Sequence, residues 1–358
     1  MNRMTWAMAL AGVLIAGTAT AGHPASQRPH VRDDVVRNGV GDIVFGGSTA
    51  MAYWAIDGSG GVASSSYAGD AGAGYTLVAI NDFEGEGSAD VLWRNGSHLK
   101  LWVNDGSGGY SPTSVGNYSG GWIPFASGDI NGDGKSDLFF RGSTHLAYWL
   151  MDGARVLSSS YAGDGGEGWR VVAIDKFSHK PPGEAGVDVL WTNGTALKIW
   201  YNYPKQGNFN FSYVFGSYLS GWEPFASGDV NSDGLADIIF RAGTHIAYWL
   251  MHFEDDRAPF WFHESRYAGN GGDGFRVVAV SDYDKDFYNN NRTADLLWTN
   301  GSQLKIWTNG KDVNCDPWGY DGCQALPPTS PEFDAYQPRL IGTYGNGWQP
   351  LDLLISPH

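Results

Sequence analysis

Two nonapeptides hold the densest set of metal-binding oxygens in the chain: DINGDGKSD at residues 129–137 and DVNSDGLAD at residues 229–237, one hundred positions later. Both place side-chain oxygens at positions 1, 3, 5 and 9, from Asp129, Asn131, Asp133 and Asp137 and from Asp229, Asn231, Asp233 and Asp237. Calcium takes roughly six to eight oxygen ligands, and alternate residues of a tight loop can aim inward if the sixth residue turns sharply. Gly134 and Gly234 supply that turn. Lys135 and Leu235 occupy position 7, where such loops offer a backbone carbonyl, and complete the two candidate sets.

Two further stretches keep part of the spacing. Asp82, Glu84, Glu86 and Asp90 substitute longer acids at the middle positions. Asp282, Asp284 and Asp286 precede Phe287 where a glycine is needed, and the closing acid is delayed to Asp295. A fifth stretch retains only Asp175 and Asp188, with Lys176, Lys180 and two prolines between them, and is expected to hold no metal. The expectation is two Ca²⁺ sites, with up to two more, holding turns whose carboxylates would otherwise repel.

The elements that must position these loops are strands. An EF-hand needs flanking helices and a glutamate at position 12, and neither is present. Instead GWIPFASG (121–128) or GWEPFASG (221–228) leads in, and LFF (138–140) or IIF (238–240) leads out, followed by LAYWLM (146–151) or IAYWLM (246–251). Short apolar, aromatic and β-branched runs punctuated by Gly, Ser and Asn are the mark of buried strands.

Counting these runs gives the architecture. AMAYWAIDG (50–58), HLAYWLMDG (145–153) and HIAYWLM (245–251) alternate with DVLWRNGSHLKLW (90–102), DVLWTNGTALKIW (188–200) and DLLWTNGSQLKIW (295–307), which makes six units. Inner strands are expected to begin near Tyr75, Trp122, Trp169, Trp222 and Phe275, at spacings of 47, 47, 53 and 53. Four-stranded sheets at such a period describe propeller blades. The first unit starts at residues 42–45 without an inner strand, and GNGWQPLDLLI (345–355) matches GGWIPFASGDI and then stops. The predicted fold is therefore all-β: a six-bladed propeller in which the C-terminal strand completes the N-terminal blade.

These residues resemble the FG-GAP and VCBS repeat family, the integrin α-subunit type of β-propeller, whose blades carry calcium hairpins of the form D-x-[DN]-x-D-G-x-x-D. The likeness runs from about residue 40 to the end and is complete at 129–137 and 229–237. The resemblance implies that ligands contact the face opposite the calcium turns. On that face the second-to-third turns bring His98, His145 and His245, and the connectors bring Asp70, Asp164 and Asn270. The Tyr-Trp pairs at 53–54, 148–149 and 248–249 could stack on sugar rings, although at least one member of each pair is expected to pack between blades. The Asn-Gly steps at Asn95, Asn193 and Asn300 read as type I′ turns.

Residues 1–21 have the pattern of a secretory signal peptide, 22–39 of a flexible lead-in, and 40–358 of one propeller domain. Cys315 and Cys323 are expected to form a local disulfide in a long loop, 309–336. The chain is expected outside the cell, with the periplasm as the alternative. A net charge of −15 with no basic stripe argues against nucleic acid. There is no G-x-S-x-G, H-E-x-x-H or paired CxxC. Residues that recur three times favour multivalent binding of a glycan or cell-surface protein over catalysis. A polysaccharide lyase or hydrolase, and a structural module of an envelope assembly, are the alternatives.

Overall fold

The described strands assort into six antiparallel sheets of four, the predicted six-bladed β-propeller. The computed structural model describes residues 33–180, 186–203, 209, 211–252, 261–284, 293–309, 337–345 and 347–351. Blade three runs outward as Ile123–Gly128, Asp137–Arg141, His145–Asp152 and Arg155–Asp164, each strand paired with the next. Blades two, four, five and six repeat that order. The residues expected to start the inner strands each lie one position before the observed strand, as Trp169 does before Arg170–Asp175.

Second strands such as Asp137–Arg141 are buried along nearly their whole length because a neighbouring blade covers each face, which is why their sequences are unbroken apolar runs. Third strands alternate, and outer strands are largely exposed. Six apolar clusters result, one per blade boundary; that of blades two and three joins Leu92, Leu99 and Leu101 to Leu138, Phe140 and Met151. Pro124 and Pro224 are tolerated because they sit on inner edge strands, next to a register shift present in both.

In blade one the innermost strand is Gln349–Pro350, which pairs with Gly46 and Phe45, and the Leu351 N–H donates to the Val44 carbonyl at 2.8 Å. The remainder of the predicted closing strand lies outside the described residues. So do residues 1–32, Asp286, Cys315, Cys323 and residues 310–336 of the long loop.

Residues 33–39 differ from the expected lead-in. They form a loop ahead of the second strand of blade one. Asp34 accepts the N–H groups of Asn38 and Gly39 at 3.0 and 2.7 Å, and Val35 and Val40 are fully buried. Arg37 and Gly39 adopt left-handed φ values of 53° and 91°, matching Ser232 and Gly234 at 59° and 84° in blade five. Valines at positions 2 and 3 hide the motif in the sequence.

The Asn-Gly turns also differ. In Asn95↔His98 the two central residues are Gly96 and Ser97, and only the glycine has positive φ, at 57°. That is the glycine-first pattern of a type II′ turn, with the asparagine before it. Asn193 uses its carbonyl oxygen to accept the N–H groups of Thr195 and Ala196 instead.

Burial in this first blade has a titration consequence. Burial, opposed by hydrogen bonds, raises Asp33 and Asp42 from 3.8 to about 7. The folded chain then holds protons that the unfolded chain has released, so the stabilisation is complete below about pH 4 and lost as pH rises to about 7. In chelator-treated protein, urea midpoints are expected to fall between pH 5 and pH 8, by on the order of 5 kcal/mol in stability for the two groups together. A midpoint that rises across this window would contradict the assignment.

Candidate functional site

One buried aspartate closes the loop of every blade: Asp42, Asp90, Asp137, Asp188, Asp237 and Asp295, all 0% exposed. Each accepts a backbone N–H from the residue 14 positions later, at the end of the third strand; for Asp137 and Asp237 the donors are Met151 and Met251, at 2.7 and 2.8 Å. The second carboxylate oxygen takes an N–H at the start of the loop, from Ile130 to Asp137 and from Val230 to Asp237. A buried N–H without an acceptor is costly, so this one residue ties loop to blade.

Within the two complete loops, Asp129 and Asp229 accept the N–H groups of positions 5 and 6, and the Asn131 and Asn231 amides donate to Asp133 and Asp233. The Lys135 ammonium turns away to Asp152. Burial, then the charge of Asp233, pushes Asp229 up to about 8, and burial with the charges of Asp229 and Asp233 pushes Asp237 well above the carboxylate range. Crowded oxygen-only donors of like charge suit a hard divalent cation. Blade four supports the same fit from the other side. There Lys180, 2% exposed, donates to Asp188 at 2.7 Å and to the Gly186 carbonyl, so the chain supplies its own cation.

In blade two, Asp82 accepts from Gly85, Glu86 and Gly87, while Glu86 accepts from Ser88 and Glu84 lies beside Gly153 of blade three. In blade six, oxygens of Asp282, Asp284 and Asp295 lie within 4.8 Å of one another, the tightest carboxylate group among the described residues. The sequence ranks that loop below the two complete ones.

On the opposite face, the histidines bond tyrosine hydroxyls: His98 to Tyr75 at 3.1 Å, His145 to Tyr161 at 2.9 Å and His245 to Tyr267 at 2.7 Å. Asp70, Asp164 and Asn270 each accept the N–H two residues on, from Gly72, Gly166 and Gly272. These six candidates are not gathered into one cleft.

The blade boundaries are of two kinds. Between odd blades and the even blades that follow, a tryptophan pair such as Trp191 and Trp200, with centroids 4.7 Å apart, packs with a lysine, and the boundary is closed. Lys100, Lys198 and Lys305 donate there to the carbonyls of Ala71, Gly165 and Gly271 and lie over Tyr75, Trp169 and Phe275 at 3.6, 4.1 and 4.1 Å. Burial lowers the pKa of all three.

The even-to-odd boundaries carry an aromatic triad instead: Phe45, Trp54 and Tyr344; Phe140, Trp149 and Tyr118; Phe240, Trp249 and Tyr218. Phe–Trp centroids are 4.8–5.0 Å apart and Phe–Tyr centroids 5.5–5.7 Å. Tyr53, Tyr148 and Tyr248 are buried while their tryptophan neighbours stay partly exposed, so one member of each Tyr-Trp pair packs between blades as expected.

At two of these boundaries the tryptophan closes on a glycine: a Cβ at Gly216 or Gly342 would meet Trp249 or Trp54 at 3.2 or 3.1 Å. At blades two and three the equivalent Gly116 faces open space. There a cleft of about 250 Å³ opens over Trp149 and Phe140, walled by Tyr118, Trp122 and Tyr161 and edged by Ser119 and by the Ser159–Ser160 stretch of the outer strand. Where this cleft has Ser119, the connector into blade five has Leu219. The sequence offers Trp149 as a sugar-stacking residue and Trp122 only as the start of an inner strand, and it does not single out Tyr118 or Tyr161. The recurring GW and SSSY segments are the signal that could have found two of them.

No curated protein matches this chain in sequence. Among solved structures, the chain is similar to a lectin of Agrocybe aegerita that specifically recognises non-reducing terminal N-acetylglucosamine, with TM-score 0.53 and 15% identity over 78% of this chain and 75% of the lectin. It is also similar to part of the Photorhabdus luminescens Tc holotoxin pore, with TM-score 0.50 and 12% identity; that match covers 79% of this chain but only 15% of the toxin chain. At such identities the likeness is one of fold. Residues 82–140, which span the loop of blade two through the second strand of blade three, match the family model of an FG-GAP-like repeat.

Proposed function

We propose that this protein is a glycan-binding propeller whose aromatic cleft between blades two and three takes a sugar ring. The observation that carries this reading is the cleft itself: partly exposed tryptophan faces at Trp122 and Trp149, with serine and tyrosine residues at the rim. Sugar rings present one apolar face of C–H groups and an equator of hydroxyls, so an indole platform with hydroxyl partners matches them without charge. The fold shared with a lectin is consistent with such a role. Two related but more closed boundaries per molecule offer weaker contacts that add avidity on a polymeric ligand.

In this reading Asp129, Asn131, Asp133, Lys135 through its carbonyl, and Asp137 hold one Ca²⁺, and the matching residues of blade five hold another. The ion would neutralise the crowded carboxylates and stiffen the loop face. The apolar N-terminal segment would direct the chain out of the cell, where glycans are met.

A glycan array compares the full chain with its Trp122→Ala variant. Binding by the parent is expected to weaken about 10- to 100-fold in the variant, while the thermal midpoint stays within a few degrees because Trp122 is partly exposed. Unchanged glycan binding in a folded variant would overturn the assignment.

A further inference from the structure

Blades one, three and five repeat one arrangement at the start of their third strands. In each, a tyrosine of the outer strand pairs with an alanine of the third, Tyr67 with Ala52, Tyr161 with Ala147 and Tyr267 with Ala247. Paired residues share a face, so each tyrosine lies on the side that also carries Trp54, Trp149 or Trp249, two residues beyond the alanine. The connectors bring a second tryptophan at one repeat position, Trp348, Trp122 or Trp222. The residue that opens the third strand varies: Ala50, His145 and His245.

The tyrosine follows that residue. Beside Ala50, the Tyr67 ring stands edge-on to Trp348, with centroids 6.4 Å apart and planes at 78°. Beside a histidine, the tyrosine hydroxyl lies on the imidazole Nδ1 instead, at 2.9 Å for Tyr161 and 2.7 Å for Tyr267. Among the described residues, neither ring packs against Trp122 or Trp222. The surrounding backbone is the same with and without the imidazole. A Cβ on Gly47 would meet the Ala50 Cβ at 3.6 Å and the Trp348 ring at 3.8 Å, and one on Gly142 would meet the His145 Cβ at 3.7 Å and the Trp122 ring at 3.6 Å.

Blade three, which owns the open cleft, adds a carboxylate. Asp164 Oδ2 lies 3.6 Å from the same His145 Nδ1, while its Oδ1 accepts the Gly166 N–H at 2.8 Å. Hydrogen bonds from Gly166 and Thr144, then the charges of His145 and Lys198, hold Asp164 below the usual carboxylate range. The other charged group on the strands around His145 is Arg141, next to Gly142, whose N–H donates to the His145 carbonyl. The connector from blade two, residues 117–122, brings Tyr118 and no charge. In blade five Asn270 stands in place of Asp164.

We infer that His145 is a positioning residue of the blade two–three cleft: while neutral it holds Tyr161 clear of Trp122, and once protonated it turns to Asp164, frees Tyr161 to cover Trp122 and so releases the ligand in acid. A neutral imidazole accepts at one nitrogen, whereas the protonated ring donates from both, so Nδ1 can no longer accept the Tyr161 O–H. A charged N–H favours a carboxylate over a phenol oxygen, because such charge-assisted bonds are roughly twice as strong as neutral ones. Blade one shows where the unheld tyrosine goes. The ligand part of the inference rests on the cleft being a glycan site.

Ligand-free crystals grown at about pH 8 and about pH 5, on either side of the range in which histidines change charge, test the switch without any sugar. In acid the Tyr161 ring is expected edge-on to Trp122, as Tyr67 is to Trp348. A Tyr161 that keeps its place at both pH values overturns the inference. The glycan bound most tightly on the array at pH 8 then gives the affinity test, and is expected to bind at least about fivefold more weakly at pH 5 as the open form is depleted. His145→Ala reproduces Ala50 of blade one and should bind weakly at both pH values. His145→Asn puts an amide oxygen where Nδ1 stands and does not titrate, so it should recover most of that loss and hold it at pH 5. An asparagine variant that still loses affinity in acid, or an alanine variant that binds like the parent at pH 8, overturns the inference. If no glycan binds at any pH, the glycan reading of the cleft fails, and the two crystals alone decide the switch.

Discussion

Replacing Asp188 by alanine is expected to destabilise the propeller by about 3–5 kcal/mol, among the largest effects of any single substitution. Asp188 is fully buried and accepts three groups at once: the Lys180 ammonium at 2.7 Å, the Ser178 hydroxyl at 2.7 Å and the Asn202 N–H at 2.9 Å. Alanine leaves a 2%-exposed ammonium with no carboxylate and strands the other two donors. Urea denaturation measures this as a lower midpoint at unchanged slope. Adding Lys180→Met to Asp188→Ala removes the stranded charge and is expected to restore at least about 1 kcal/mol. A single variant within about 0.5 kcal/mol of the parent would show that the lysine is not the internal cation of blade four.

Calcium is expected to have the second large effect. If the loops bind with the dissociation constants of extracellular modules, about 10⁻⁴–10⁻³ M, then about 10 mM calcium adds about 1.4–2.7 kcal/mol per site. Two sites together should move the calorimetric midpoint by several degrees between calcium and chelator. Asp133→Ala and Asp233→Ala remove a candidate ligand that makes none of the closing-aspartate contacts, so each should abolish about half of the calcium-dependent shift. A midpoint that ignores calcium in the parent would remove the metal from the account and leave the loops as turns held by their own hydrogen bonds.

These two predictions share a physical cause that the sequence displays only in part. The nonapeptides at 129–137 and 229–237 stand out because every polar position is filled, and the six-unit count follows from strand segments that are apolar wherever blades cover them. The blade-one loop at 34–42 is harder to see, since valine at position 3 and arginine at position 4 erase the pattern while Asp34, Gly39 and Asp42 keep the backbone geometry. In blade four Lys176, Lys180 and the prolines read as a degenerate loop, and only the fold reveals that Lys180 reaches the closing aspartate.

The candidate site was less legible than the fold for a different reason. Its walls come from the connector that holds Tyr118 and Trp122, the strand that holds Trp149 and the outer strand that holds Tyr161, and a one-dimensional scan sees four aromatics in three separate segments. The histidines drew attention through recurrence, but their hydrogen bonds to Tyr75, Tyr161 and Tyr267 show them bracing tyrosines. His145 matters to the cleft through Tyr161, whose hydroxyl it holds.

The most direct measurement is a crystal structure of the calcium-loaded protein with the tightest oligosaccharide found on the array. A sugar ring is expected to stack on Trp122 or Trp149, within about 4 Å of the indole and close to Ser119 and Ser159. Density for the ligand on the calcium-loop face, or anywhere that leaves this cleft to solvent, would contradict it.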